Sequence, residues 1–245
     1  MPESPNSPTG LATTRTVGDV PEGGDTRRGP LHALRGVAGA IRWSFVFDRF
    51  DVFVKPVEAE HVDFTPPPGY SLRFGSPEDL AACTQRDTEL SPRDREVGAR
   101  RLEVGHRLVV AIPDGDDPAS TGPVFTMWVN PRNLNVPGSL KRALGPDQVF
   151  IYKAYTSPEH RGRKLYQAGM RFVLADLASR GAKELVGYAH VAKGVSRRGL
   201  DAVGFGSVGG FLTLGFKRWQ WTLADAKLRR RFPRAVPRSG SELDR

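Results

Sequence analysis

The sequence predicts an α/β (α+β) fold, a central mixed and mostly antiparallel sheet flanked by helices. Two observations carry this. The run Val149–Thr156 has the β-branched and aromatic content of a buried strand, Ser157-Pro158-Glu159 ends it, and a long helical pattern leads on to a second such run, Glu184–His190; strands joined through a helix lie parallel. His106–Ile112 with Val124–Val129, joined by a polar turn, and Phe211–Thr222 read as antiparallel hairpins.

Length and composition set the frame. At 245 residues with 39% hydrophobic content, one well-buried domain plus appendages is expected, not two full domains. A single cysteine, Cys83, gives no internal disulfide and no thiolate metal site, which fits a reducing cytoplasm; no metal is expected. The net charge of +9 is not spread evenly. Residues 160–200 hold nine Arg and Lys against Asp176 and Glu184, and residues 217–245 hold nine against Asp225, Glu242 and Asp244, so the remainder is net acidic. No aromatic-basic RNA- or DNA-binding signature accompanies the charge, and a nucleic-acid partner is not expected.

Residues 1–30 are rich in Pro, Ser, Thr and Gly, too poor in apolar side chains to offset the entropy of ordering, and show no signal-peptide pattern. Residues 31–69 form an expected extension. Leu31, Leu34, Val37, Ala38, Ile41 and Trp43 recur near helical spacing in a run too short and too charged to span a bilayer. Residues 44–57 follow as a strand pair or one bent strand, and Pro66-Pro67-Pro68-Gly69 marks a boundary.

The domain proper is expected over residues 70–222. Tyr70–Phe74 reads as its first strand. Ser76-Pro77-Glu78-Asp79 starts a helix with a cap, a first-turn proline and acidic residues at the dipole's positive end, and Ser91-Pro92-Arg93-Asp94 repeats the device for a helix to about Glu103. His106–Ile112 and Val124–Val129 are two strands of a hairpin. A short helical pattern is read at Ser139–Leu144. The helix from about Lys164 to Arg180 carries a wide apolar face, with Gly181 at its C-terminus. Ser196–Val203 is a further short helix, and Phe211–Thr222 a terminal hairpin with Gly209-Gly210 at its turn. The basic tail, 223–245, is expected to be solvated.

The chemistry gathers at the first strand–turn–helix junction. A helix N-terminus offers unpaired N–H groups and positive potential. Gly162 lets the backbone approach a ligand, and Arg161, Arg163 and Lys164 add cationic donors within four residues, a match for a diphosphate. Thr156-Ser-Pro-Glu-His-Arg-Gly-Arg-Lys-Leu-Tyr166, followed by Ser196 and by Gly204-Phe205, resembles the acyl-CoA-binding core of the GNAT superfamily of N-acetyltransferases over roughly residues 70–222. Lys164 and Tyr166 depart from the small residues usual there, and Lys193 stands where Asn is usual.

The resemblance implies a GNAT-like sheet whose parallel pair splays to admit the pantetheine arm. It implies acetyl-CoA as co-substrate and a small amine-bearing acceptor. The cofactor-binding residues are then Tyr155, Thr156, Arg161, Gly162, Arg163, Lys164, Leu165, Tyr166, Lys193 and Ser196. A backbone N–H at Tyr155 or Thr156 would polarise the thioester carbonyl. His190, at the end of its strand, is the leading base, with Asp147 and Glu159 as alternatives acting through water. Leu200 stands where the family's acid tyrosine usually stands, so Ser196, Tyr155 or solvent must protonate the thiolate. The activity implied is an N-acetyltransferase, and the alternative is a GNAT-shaped CoA-binding protein that has lost turnover.

Overall fold

The computed structural model of the chain describes residues 45–83, 92–115, 122–136, 140–216 and 219–236. The chain divides into two units, Met1–Trp43 and Ser44–Arg245, and all the described residues lie in the second. The expectations for residues 1–43 and for the end of the tail fall outside them.

Among the described residues ten strands and five α-helices follow in order. They are β1 (Phe45–Pro56), β2 (Tyr70–Phe74), α1 (Pro77–Ala82), α2 (Pro92–Glu103), β3 (Arg107–Pro113), β4 (Phe125–Asn130), β5 (Asn133–Val136), β6 (Leu140–Ala143), β7 (Gln148–Thr156), α3 (Leu165–Ser179), β8 (Glu184–His190), α4 (Gly194–Asp201), β9 (Gly206–Phe216), β10 (Trp219–Ala224) and α5 (Ala226–Arg231). Eight strands make one sheet in the order β10-β9-β1-β8-β7-β4-β3-β2, and β5 and β6 form a separate hairpin. Among the described strands only β7 and β8 pair in parallel; all other pairs in the sheet are antiparallel. This is the fold class expected: mixed, mostly antiparallel, with one parallel pair and flanking helices.

Alternation along the strands sorts side chains to two faces. On one face Val109, Ala111, Phe125, Met127, Ile151, Leu185 and Ala189 meet Leu165, Met170, Val173, Leu174 and Leu177 of α3 and Leu200 of α4. On the other, Leu108, Val110, Ile112 and Trp128 pack with Leu80 and Cys83, and Val52, Phe150, Val186 and Phe211 pack with Leu134, Leu228 and Phe232. Helix α3 lies close on the sheet because position 169 is glycine: a Cβ there would sit 2.6 Å from the Phe125 ring.

The start of α1 follows the capping logic read from its sequence. Ser76 Oγ accepts from the Asp79 N–H, the Asp79 carboxylate accepts from the Ser76 N–H at 2.7 Å, and Pro77 opens the helix. Arg73 reaches the same carboxylate through two contacts of 2.6 Å. Burial works against charge on Asp79, but these hydrogen bonds outweigh it and hold the acid below the usual aspartate range.

Of the two readings for residues 44–57, a strand pair or one bent strand, the structure holds the second: β1, inserted between β8 and β9 and bulged at Val52/Phe53. Three local expectations are corrected. The helical pattern at 139–144 is instead strand β6, because Leu140–Ala143 pairs with β5 and the C-terminal segment adds to it: the Ala143 N–H donates to Arg234 O, and the Val236 N–H to Lys141 O. Tertiary pairing overrides a weak helical preference there.

Gly209 and Gly210 lie inside β9 rather than at the end of the β9–β10 ladder, where Phe216 pairs with Trp219. They are small because α5 docks on them: a Cβ on Gly209 would meet Asp225 Oδ1 at 2.7 Å and Leu228 N at 2.8 Å. The segment after Ala224 is not wholly solvated either. Asp225 caps α5, accepting from Leu228 and Gly210, and Leu228 and Phe232 are buried.

Candidate functional site

The parallel pair stops early. Strand β7 bonds β8 only over Gln148–Phe150 with Glu184–Val186. Beyond that point β7 stays paired to β4 through Thr156 and β8 to β1 through His190, so the two strands part between Ile151–Thr156 and Gly187–His190.

A bulge lies at the parting. Thr126 faces Tyr155 and Trp128 faces Tyr152, which leaves Lys153 and Ala154 opposite Met127 alone, with Lys153 at φ +48°. Such a bulge kinks and twists its strand and re-aims its backbone groups. The inner end of the opening is narrow and apolar: a Cβ added to Gly187 would lie 3.4 Å from Leu200 and 3.5 Å from Ile151.

At the outer end comes the basic turn. Ser157 N–H bonds Val124 O, Pro158–His160 make one 3-10 turn, and Gly162 (φ +78°) and Lys164 (φ +61°) take left-handed conformations before α3 begins. Ala168 N–H reaches back to Lys164 O, so the N–H groups of Leu165, Tyr166 and Gln167 are the first-turn donors of α3, and no side chain caps them.

Arg161, Gly162, Arg163 and Lys164 are exposed, and no atom of the described residues lies within 4 Å of a Cβ built on Gly162. Arg161 Nε donates to Thr156 O, which folds its guanidinium back over the strand end. This donor set, with open space at Gly162, fits a diphosphate.

The next two residues differ. Leu165 is a core residue, 2% exposed. Tyr166 packs against Gly199 of α4, where a Cβ would fall 2.6 Å from its ring, and burial pushes its hydroxyl up to about 12. Of the run 161–166, the side chains of Arg161, Arg163 and Lys164 lie open, Gly162 leaves its backbone bare, and Leu165 offers only its backbone. His160 beside the turn is tied to Tyr70, Oη to Nδ1 at 2.9 Å.

The catalytic candidates sort as follows. His190 ends β8 with both ring nitrogens engaged: Nδ1 accepts from the Ala192 N–H at 3.0 Å, and Nε2 lies 3.0 Å from Asp48 Oδ1. An accepting Nδ1 places the proton on Nε2, donated to Asp48. Tyr155 is half-buried on β7 across from Thr126, and Ser196 is half-buried in the first turn of α4. Lys193 is the exposed N-cap of α4, its N–H bonded to His190 O. The turn after β8 thus brings His190, Lys193 and Ser196 together.

Asp147 goes elsewhere. It pairs with Lys183 at 2.8 Å at the other end of β7, and at about 3.3 Å per residue the strand carries it roughly 25–30 Å from the parting's mouth. Glu159 is exposed in the 3-10 turn.

Two features escape sequence reasoning. Asp48 meets His190 only because β1 enters the sheet beside β8, and nothing in a separation of 142 positions signals it. The face away from α3 carries an aromatic row in which Phe150 stacks on Tyr152 and Tyr188, and Phe50 stacks on Phe211 with its edge to His190. Arg101, 3% exposed, lies over Trp128 and Tyr152, and His106 Nδ1 is 2.7 Å from the Tyr152 hydroxyl, which burial pushes well above its ordinary range.

Among the described residues Glu58, Glu60 and His61 bring ligand atoms within 4.8 Å of one another, at the surface and away from the parting. No helix among them is long and apolar enough to cross a membrane.

No family model matches the sequence, and no curated protein does. Solved structures do resemble the fold. They include a GNAT-family acetyltransferase, described as putative, from Novosphingobium aromaticivorans (16% identity, 70% of this chain and 66% of that one, TM-score 0.47). A GCN5-related N-acetyltransferase from Sphaerobacter thermophilus (14%, 81% and 58%, 0.46) and a GNAT-family acetyltransferase from Colwellia psychrerythraea (12%, 75% and 62%, 0.45) are others. The chain spans less than two thirds of the length of each. Likeness at this distance concerns the fold and fixes neither substrate nor catalysis.

Proposed function

We propose that the protein is an acyl-CoA-dependent N-acyltransferase, with acetyl-CoA as donor, acting on an amine of a small molecule, amino sugar or peptide by direct attack on the thioester. One observation carries the reading: the β7–β8 ladder ends after three residue pairs, and the opening leads to an uncapped helix N-terminus beside Gly162 and two arginines.

In this reading the first-turn amides of α3, with Arg161, Arg163 and Lys164, hold the diphosphate. A backbone N–H at Tyr155 or Thr156 donates to the thioester carbonyl, whose oxygen gains charge as the amine attacks. His190 takes the amine's proton at Nδ1 once the acceptor displaces the Ala192 N–H, and Asp48 stabilises the resulting imidazolium. A thiolate needs less help to leave than an alkoxide, so Tyr155, Ser196 or water suffices as acid.

A second reading, a CoA-binding protein without turnover, draws on the same geometry. Both nitrogens of His190 are occupied, and Leu200 is fully buried. Calorimetry with acetyl-CoA, followed by thiol release over an amine panel, separates the two. Binding with amine-dependent release is expected; binding without release favours the second reading, and no binding removes both.

A further inference from the structure

The basic turn has a second side. Between the segment 64–68 and the start of α3 lies a cavity of about 470 Å³, lined by Phe64, Pro66, Pro68, Arg163, Lys164 and Arg171 among others. That volume is in the range of small-molecule sites. Its walls are fixed independently. Phe64 sets its ring edge against Phe172 of α3, centroids 5.5 Å apart, while the Tyr70–His160 hydrogen bond ties the end of the same segment to the turn.

Its chemistry is two-sided. Pro66, Pro67 and Pro68 give one wall a rigid, donor-free apolar surface, suited to the face of a planar ring. Lys164 and Arg171 stand two turns apart on one side of α3, with Arg163 beside them, and none of the three makes an ion pair with the described residues. The arginine on the opposite flank is committed: Arg197 of α4 binds Asp51 at 2.7 Å and covers the Phe53 ring. Three unpaired cations facing an apolar wall suit a phosphorylated nucleoside.

We infer that this cavity seats the nucleotide end of the acyl carrier, its adenosine against Pro66–Pro68 and its 3′-phosphate toward Arg171. The carrier then turns to the β2 side of α3 and not to the side of Lys193 and Ser196, where the sequence resemblance placed the remaining contacts. The inference rests on the acyl-CoA reading above and adds a direction to it.

The test is calorimetric titration of the full chain, as wild type, Arg171→Gln and Lys193→Gln, with coenzyme A and with dephospho-coenzyme A, which lacks only the 3′-phosphate. Circular dichroism melts check that both variants fold. Wild type is expected to prefer coenzyme A by about tenfold, the scale of one charge-assisted contact. Arg171→Gln should abolish that preference and Lys193→Gln should keep it. Equal affinity of wild type for both ligands overturns the nucleotide seat and leaves the acyl-CoA reading standing. So does a preference that survives in Arg171→Gln or vanishes in Lys193→Gln. Binding of neither ligand overturns both.

Discussion

The two ends of the β7–β8 pair are built from the same kind of strand and treated in opposite ways. At the Gln148/Glu184 end, side chains cross-link the pair: Gln148 Nε2 donates to Glu184 at 2.6 Å, Arg231 of α5 reaches the same carboxylate, and Lys183 pairs with Asp147. Backbone bonds add to them, since the N–H groups of Lys183 and Glu184 both donate to Asp147 O. At the Thr156/His190 end, polar groups bond outward instead, His190 to Asp48 on β1 and Arg161 back to Thr156 O. The difference teaches that the parting is not a weakness of the sheet. Each strand keeps its outer neighbour, and a clamp at the base fixes where the two diverge.

The largest test acts at the open end. His190→Gln keeps a side chain that can bond Asp48 but removes the proton acceptor. If His190 is the base, kcat should fall by about a hundredfold or more, with the affinity for acetyl-CoA unchanged. Turnover near wild type would hand the proton to another group and leave His190 a strut between β8 and β1.

The next acts at the closed end. Glu184→Ala removes the acceptor shared by Gln148 and Arg231, which should cost about 1–2 kcal/mol in urea unfolding. Coenzyme A affinity should hold, because the proposed diphosphate site lies at the far end of β7. If affinity falls in step with stability, the two ends are coupled and the clamp sets the width of the opening.

How much of this was readable beforehand differs by region. The strand–turn–helix–strand unit was legible, because periodicity, Pro158, Gly162 and Gly181 are local signals that the tertiary structure reinforces. The bulge at Lys153 was not, since it depends on the register with β4 and the sequence there looks like ordinary strand. The Asp48–His190 pair was hidden for the same reason, β1 entering mid-sheet. Gly209 and Gly210 misled because a glycine pair usually marks a turn, whereas these make room for Asp225 and Leu228. The basic run at 227–231 hid a docked helix, for the arginines outnumber the single buried Leu228 that anchors it.

The smallest effect sharpens the contrast within the clamp itself. The Lys183–Asp147 pair has good geometry at 2.8 Å, yet 75% of the lysine side chain and 42% of the aspartate side chain are in water. The hydrogen bond that Lys183 donates to Asp147, and that carboxylate's charge, raise the lysine's pKa. A raised pKa means that whatever the pair contributes is fully present below the lysine's unfolded value and lost only as pH climbs through the folded one. Across neutral pH the contribution is therefore constant, and solvent screening keeps it small. Lys183→Ala should leave the urea midpoint where it is from about pH 6 to 9. A clear drop would mean that this exposed pair, and not the half-buried Glu184 beside it, holds the strands together at their base.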